Sequence, residues 1–167
     1  FFEDVRVPAT AILGKLHGGF AVLMGELQRE RLALAIGGVA AAEGVLAQTV
    51  EYVKERKAFG APIAELQNTR FKLAEAATDV RIHRSFVEEC KRLFMSGELD
   101  VETASMAKVS CTEMQGRVAD TCLQLHGGYG FMREYGVSRA YVDARVQRIY
   151  GGTSEIMKEL ISRSVLA

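Results

Sequence analysis

The chain has 167 residues, with 21 basic and 21 acidic side chains and a pI near 7.0. That length is one domain's worth and enough to bury a core, while the charge balance argues against nucleic acid or an anionic membrane surface as the main partner. Alanine, leucine, glutamate, lysine and arginine are plentiful, and two prolines and no tryptophan complete a composition that predicts helix.

Phe1 to Gly14, with Val5, Val7 and Pro8, reads as a short strand followed by loop. After Gly18-Gly19, Phe20, Leu23, Met24 and Leu27 recur at helical spacing, followed by Leu32, Ile36, Val39, Leu46, Val50 and Val53. This long helix is expected to end at Ala58-Phe59-Gly60, with Arg56 and Lys57 in its last turn, where cations suit the carbonyl end. Pro62 suits the first turn of a second helix. There Leu66, Leu73, Val80, Val87 and Phe94 repeat every seven residues, the seam of an antiparallel bundle helix that Gly97 breaks. Asp100 is a good N-cap for a third helix, whose apolar line is Ala107, Cys111, Met114, Val118, Cys122 and Leu125. Gly127-Gly128-Tyr129-Gly130 ends it. A fourth helix is expected over 137–149, and a fifth after Thr153.

Cys90, Cys111 and Cys122 fall among helical apolar positions, so they read as small buried hydrophobes of a reducing compartment, with no disulfide or metal site. No apolar run approaches a membrane span, and no signal peptide is visible. The fold class is all-α: an antiparallel four-helix bundle with an additional C-terminal helix and a short N-terminal strand. Residues 1–14 read as strand and loop, and 15–167 as the helical bundle domain.

Three segments have polar character beyond packing. Arg56-Lys57-Ala58-Phe59-Gly60 can be a helix end with a glycine stop, and Gln124-Leu125-His126-Gly127-Gly128 a C-cap turn. Gly151-Gly152-Thr153-Ser154-Glu155 has glycines leading into a hydroxyl-capped helix start, where free N–H groups and the helix dipole favour an anion or a polar carbonyl; an ordinary N-cap would look the same.

Their order and spacing are more specific than each alone. Phe2-Glu3-Asp4-Val5-Arg6-Val7-Pro8, Glu30-Arg31, Arg56-Lys57-Ala58-Phe59-Gly60, Gln67, Gln124 to Phe131, Asp143-Ala144-Arg145 and Gly151 to Ile156 follow one another along the chain. Together they resemble the C-terminal third of acyl-CoA dehydrogenases, with the long-chain type nearest. Tyr52-Val53-Lys54, Ala140 to Arg145 and Met157 to Ile161 are in that style.

The resemblance implies FAD as cofactor and an acyl-CoA substrate, with an electron-transferring flavoprotein as redox partner. It further implies a homodimer or homotetramer, located in the cytoplasm if bacterial or the mitochondrial matrix if eukaryotic. The flavin of this family spans a subunit interface. Arg56 matches its diphosphate-binding arginine, Phe59 and Gln67 further contacts on that face, and Gln124, Leu125, His126, Gly127 and Gly128 the turn approaching the adenosine half. Thr153, Ser154 and Glu155 match cofactor-contacting positions before the last helix.

Most family members carry the catalytic glutamate in the loop where this chain has Gly151. The long-chain and isovaleryl-type branch instead puts its base on the early helix before an arginine, which matches Glu30-Arg31. Glu30 is therefore the implied α-proton base, in a dry pocket that raises its pKa, with Leu27, Ala33 and Leu34 as largely apolar neighbours. Gln28 and Arg31 are implied substrate contacts, Arg31 near the CoA moiety, with Tyr150, Gly151 and Gly152 lining the acyl cavity. A backbone N–H near Gly151 or Gly152 would stabilise the developing enolate. The resemblance also makes residues 1–14 the tail end of the family's middle β domain, and without the other two domains the chain alone is expected to be inactive. The alternatives are an acyl-CoA oxidase, a non-catalytic helical oligomerisation module and, third, a flavin monooxygenase of the same fold.

Overall fold

In a computed structural model that describes all residues 1–167, five α-helices carry the chain. They are α1 (Gly19–Glu55), α2 (Gln67–Ser96), α3 (Val101–His126), α4 (Gly136–Val146) and α5 (Ser154–Val165). Two two-residue strands, β1 (Lys57–Ala58) and β2 (Ala61–Pro62), form a hairpin between α1 and α2.

Helices α1 and α3 run parallel at a constant offset. Arg31 meets Ser105 and Tyr52 meets His126, each pair 74 residues apart. Helix α2 runs against both: Arg84 forks onto Glu43 of α1, and Arg117 of α3 reaches Asp79 at 2.8 Å. Helices α4 and α5 follow one another down α3. Arg148, just past α4, lies at Glu113, where Ser154 also docks, and Ser164 near the end of α5 bonds Glu102. The fourth rod of the bundle is thus two helices in series, interrupted by residues 147–153. The core is filled mainly by α1 and α3: Leu32, Ala35, Val39, Ala42 and Val45 against Ala104, Ala107, Cys111, Met114, Val118 and Cys122, with Val80, Val87 and Cys90 from α2.

Asp100 caps α3, its Oδ1 accepting the Thr103 N–H at 2.6 Å, and Gly97 ends α2 in the left-handed region at φ +75°. Several expectations are corrected. The first eight residues form no strand, because no segment of the chain lies beside them to complete a ladder; a 3-10 turn, Ala9–Ala11, follows. Helix α1 stops at Glu55, so Arg56 and Lys57 lie outside it. Phe59 (φ +54°) and Gly60 (φ +87°) turn the chain back in a two-residue hairpin with Lys57 opposite Pro62. Pro62 therefore closes the hairpin and leads into a 3-10 turn, Ile63–Glu65, ahead of α2. Leu66 and Phe94 at the ends of the α2 seam are exposed, while Val80 and Val87 in its middle are buried. The fourth helix is shorter than expected, ending at Val146. Contrary to the sequence reading, one 18-residue window of α1 has a mean hydropathy of 1.5, apolar enough by composition to span a membrane. About a third of that window is buried in the bundle, mainly against α3.

Candidate functional site

The sequence-predicted residues gather at two ends of the bundle. The first cluster closes around the end of α3. Tyr52 stacks on His126, ring centroids 4.0 Å apart, and donates its hydroxyl to the His126 carbonyl at 3.3 Å. Tyr135 meets both rings edge-on. Arg56, exposed just past α1, lies over the Tyr129 ring at 5.1 Å, a cation–π contact that leaves its donors free. With Gln124, Leu125, Gly127 and Gly128, the residues Tyr52, Arg56, His126 and Tyr129 line a cleft of about 580 Å³.

His126 is buried, and its Nδ1 lies 2.8 Å from the Cys122 carbonyl, so its ring supports the turn from inside. Gly127, at φ +58°, has open space where a Cβ would stand, and so does Gly128. Bare backbone beside a free guanidinium and an aromatic wall suits a ligand with an anionic stretch and a flat ring. FAD fits this donor set. Phe59 projects from the hairpin turn with 95% of its surface exposed, and Gln67 is exposed at the first position of α2.

The second cluster surrounds residues 150–155. Gly151 (φ +64°) and Gly152 (φ +101°) are both left-handed, and a Cβ on Gly151 would overlap Leu34 Cδ1. Leu34 lies one turn after Glu30 on the same face of α1, so the helix presents Glu30 beside the loop. Glu30 is exposed, because the buried stripe of α1 begins only at Arg31; within this chain it has no dry pocket. Gln28 and Leu34 are half-buried, Ala33 exposed, and Tyr150 exposed at the loop's start.

Arg31 is 5% exposed, so it is no surface charge. Its Nη1 donates to Ser105 Oγ at 3.4 Å, its Nε has no partner, and burial lowers its pKa. Thr153 caps α5, its Oγ1 accepting the Ile156 N–H at 3.3 Å. Ser154 is buried and donates to Glu113 Oε1 at 2.9 Å, so its side chain ties α5 to α3 and is not free for a cofactor. Backbone hydrogen bonding at the helix start, then the Thr153 hydroxyl, hold the exposed Glu155 carboxyl below its usual range.

The structure does not merge the two clusters. Lys108 touches the loop and His126 the cleft, and eighteen residues of α3 at 1.5 Å rise separate them by about 27 Å. Sequence reasoning missed Lys108 and Tyr52. Lys108 stands among Ala104, Ala107, Cys111 and Thr112, all buried, and a lone cation on a buried stripe was a legible signal.

The pattern described as "Acyl-CoA dehydrogenase, C-terminal domain" matches residues 17–166. The long-chain specific mitochondrial acyl-CoA dehydrogenase of Mus musculus is 52% identical over all 167 residues. The acryloyl-CoA reductase (NADH) of Anaerotignum propionicum is 40% identical over 165 residues. The crystal structure of an acyl-CoA dehydrogenase from Geobacillus kaustophilus superposes with a TM-score of 0.95 at 47% identity, covering 99% of this chain and 43% of that one. This chain spans 39% of the mouse protein and 42% of the reductase, well under half of each relative. On these matches, the chain belongs to the acyl-CoA dehydrogenase family and corresponds to its C-terminal helical domain.

Proposed function

We propose that the protein carrying this chain is a flavin-dependent acyl-CoA dehydrogenase that converts a long-chain acyl-CoA to the trans-2-enoyl-CoA, with Glu30 as the α-proton base. The observation that carries this is the packing of Gly151 onto Leu34, one turn from Glu30. The loop offers no carboxylate at 151, and α1 offers one beside it. Residues 1–14 belong, on this reading, to a β domain preceding the bundle, and the remaining domains cover Glu30 and dry its surroundings.

Arg56, Phe59, Gln67 and the 124–128 turn would hold the diphosphate and adenosine half of FAD from a neighbouring subunit, in a homodimer or homotetramer. Arg56 supplies the charge-assisted contact and Gly127-Gly128 the close backbone approach. Bound FAD supplies hydride acceptance from the β carbon. Glu30 takes the α proton, the N–H groups near Gly151 and Gly152 hold the thioester oxygen as negative charge develops there, and Tyr150 borders the acyl chain. Thr153 and Glu155 face the cofactor from the start of α5. Gln28 and Arg31 border the substrate, and an electron-transferring flavoprotein accepts the electrons. The 52% identity to a long-chain enzyme supports the chain-length assignment.

The test is Glu30→Gln in the holoenzyme with palmitoyl-CoA. Turnover should fall by at least about 10²-fold while flavin content stays the same, the scale of losing a positioned base. Unchanged turnover in Glu30→Gln refutes the assignment, and rapid reaction of the reduced wild type with oxygen would favour an oxidase.

A further inference from the structure

Lys108 is fully buried, and its Nζ donates to the Gly152 carbonyl at 2.6 Å. No carboxylate forms an ion pair with it, and Arg31, whose charge acts on it, is buried too. Burial, then the Arg31 charge, lower its pKa. Burying an ammonium with no carboxylate paired to it is costly, and a methionine of similar length would fill the space more cheaply. Of the two buried cations, Arg31 reaches only a serine hydroxyl, whereas Lys108 is set against the carbonyl of a Gly-Gly pair.

Such a pair needs an anchor. Glycine populates positive φ as readily as negative, so two in succession leave a loop with many conformations. The N–H groups of Gly151, Gly152 and Thr153 donate to no acceptor within the chain. Because C=O and N–H of one trans peptide point opposite ways, drawing the Gly152 carbonyl inward to Lys108 turns the Thr153 N–H outward and fixes ψ of Gly152.

We infer that Lys108 is a positioning residue for the catalytic loop: its ammonium, pinned on the Gly152 carbonyl, selects the one loop conformation in which free N–H groups face the substrate. This rests on the dehydrogenase reading above, and no role in proton transfer is assigned to Lys108.

The test compares Lys108→Met with the wild-type holoenzyme in three readouts. Steady-state turnover of palmitoyl-CoA should fall about 10²-fold in kcat, the scale of an ångström-level misplacement, with KM little changed. The thermal midpoint should hold or rise, since an unpaired buried charge is gone. Hydrogen exchange should quicken in a peptide spanning 149–156 and stay unchanged over α3. Lys108→Gln, which keeps a donor, should recover part of kcat; it also serves if the methionine variant does not fold. Wild-type kcat in Lys108→Met, a rise in KM alone, or faster exchange spread along α3 with a lower midpoint would each overturn the inference. Exchange at 149–156 is read without turnover. A failure of the dehydrogenase reading, diagnosed by a wild type that leaves acyl-CoA untouched, is therefore separable from a failure of Lys108 to hold the loop.

Discussion

Returning a carboxylate to the loop by Gly151→Glu is the most direct perturbation of the site. Two costs are visible. A side chain at φ +64° sits in the left-handed region, which costs about 1–2 kcal/mol for a residue other than glycine. Its Cβ would also lie closer than 3.0 Å to Leu34 Cδ1, forcing that side chain off its rotamer at about 0.5–1.5 kcal/mol. Together these give about 1.5–3.5 kcal/mol, and at about 2–4 °C per kcal/mol for a domain of this size the thermal midpoint should drop by roughly 3–14 °C. Differential scanning calorimetry of wild type, Gly151→Glu, Leu34→Ala and the double variant closes a cycle. The double variant should be more stable than the sum of single effects by about 0.5–1.5 kcal/mol, the part Leu34 contributes. An unchanged midpoint in Gly151→Glu, or strict additivity with Leu34→Ala, would show that the loop and α1 are not packed as described.

Other expectations concern the scaffold. Arg84, forked onto Glu43, holds that carboxyl below its ordinary 4.5. A carboxylate with a depressed folded pKa adds stability above the unfolded value and loses it as pH falls through the folded one, so Glu43→Gln should flatten the fall in melting temperature below about pH 4.5. An unaltered acid limb would mean the pair adds nothing. Asp100→Ala should cost about 1 kcal/mol by removing the α3 cap, read by urea unfolding, whereas Asp100→Asn should cost far less. Burial raises all three thiols, Cys111 to about 12, so none should react with a disulfide reagent at pH 8 until the protein is unfolded, when all three titrate. A thiol that reacts in the folded protein contradicts that burial.

Much of the fold was legible because helix signals are local. Asp100, Gly97 and Thr153 each mark a terminus by chemistry that needs no tertiary partner, and Val80 and Val87 mark the bundle seam. The hairpin at 57–62 was hidden because its turn residues are Phe59-Gly60. Phenylalanine at positive φ carries none of the asparagine or aspartate signal that announces such turns. The opening strand failed for the opposite reason: its composition is right, but a strand exists only beside another.

At the site, the pairing of Gly151 with Glu30 was readable only through resemblance, since one-dimensional spacing says nothing about which helix faces a loop 121 residues away. The environment of Arg31 was not readable at all, because nothing local distinguishes it from the exposed Arg29 beside Glu26. Lys108 was readable and overlooked.

The break between α4 and α5 makes the loop answerable to the chain's last helix. Helix α5 is held by Thr153 at its start, by Ser154 on Glu113 and by Ser164 on Glu102 at its far end. Short elements held by few contacts open locally at lower free energy than the core helices. When α5 lifts, the two glycines lose their downstream tether together with it. A nick or a missense change within α5 would therefore loosen residues 151–153 well before the bundle itself came apart.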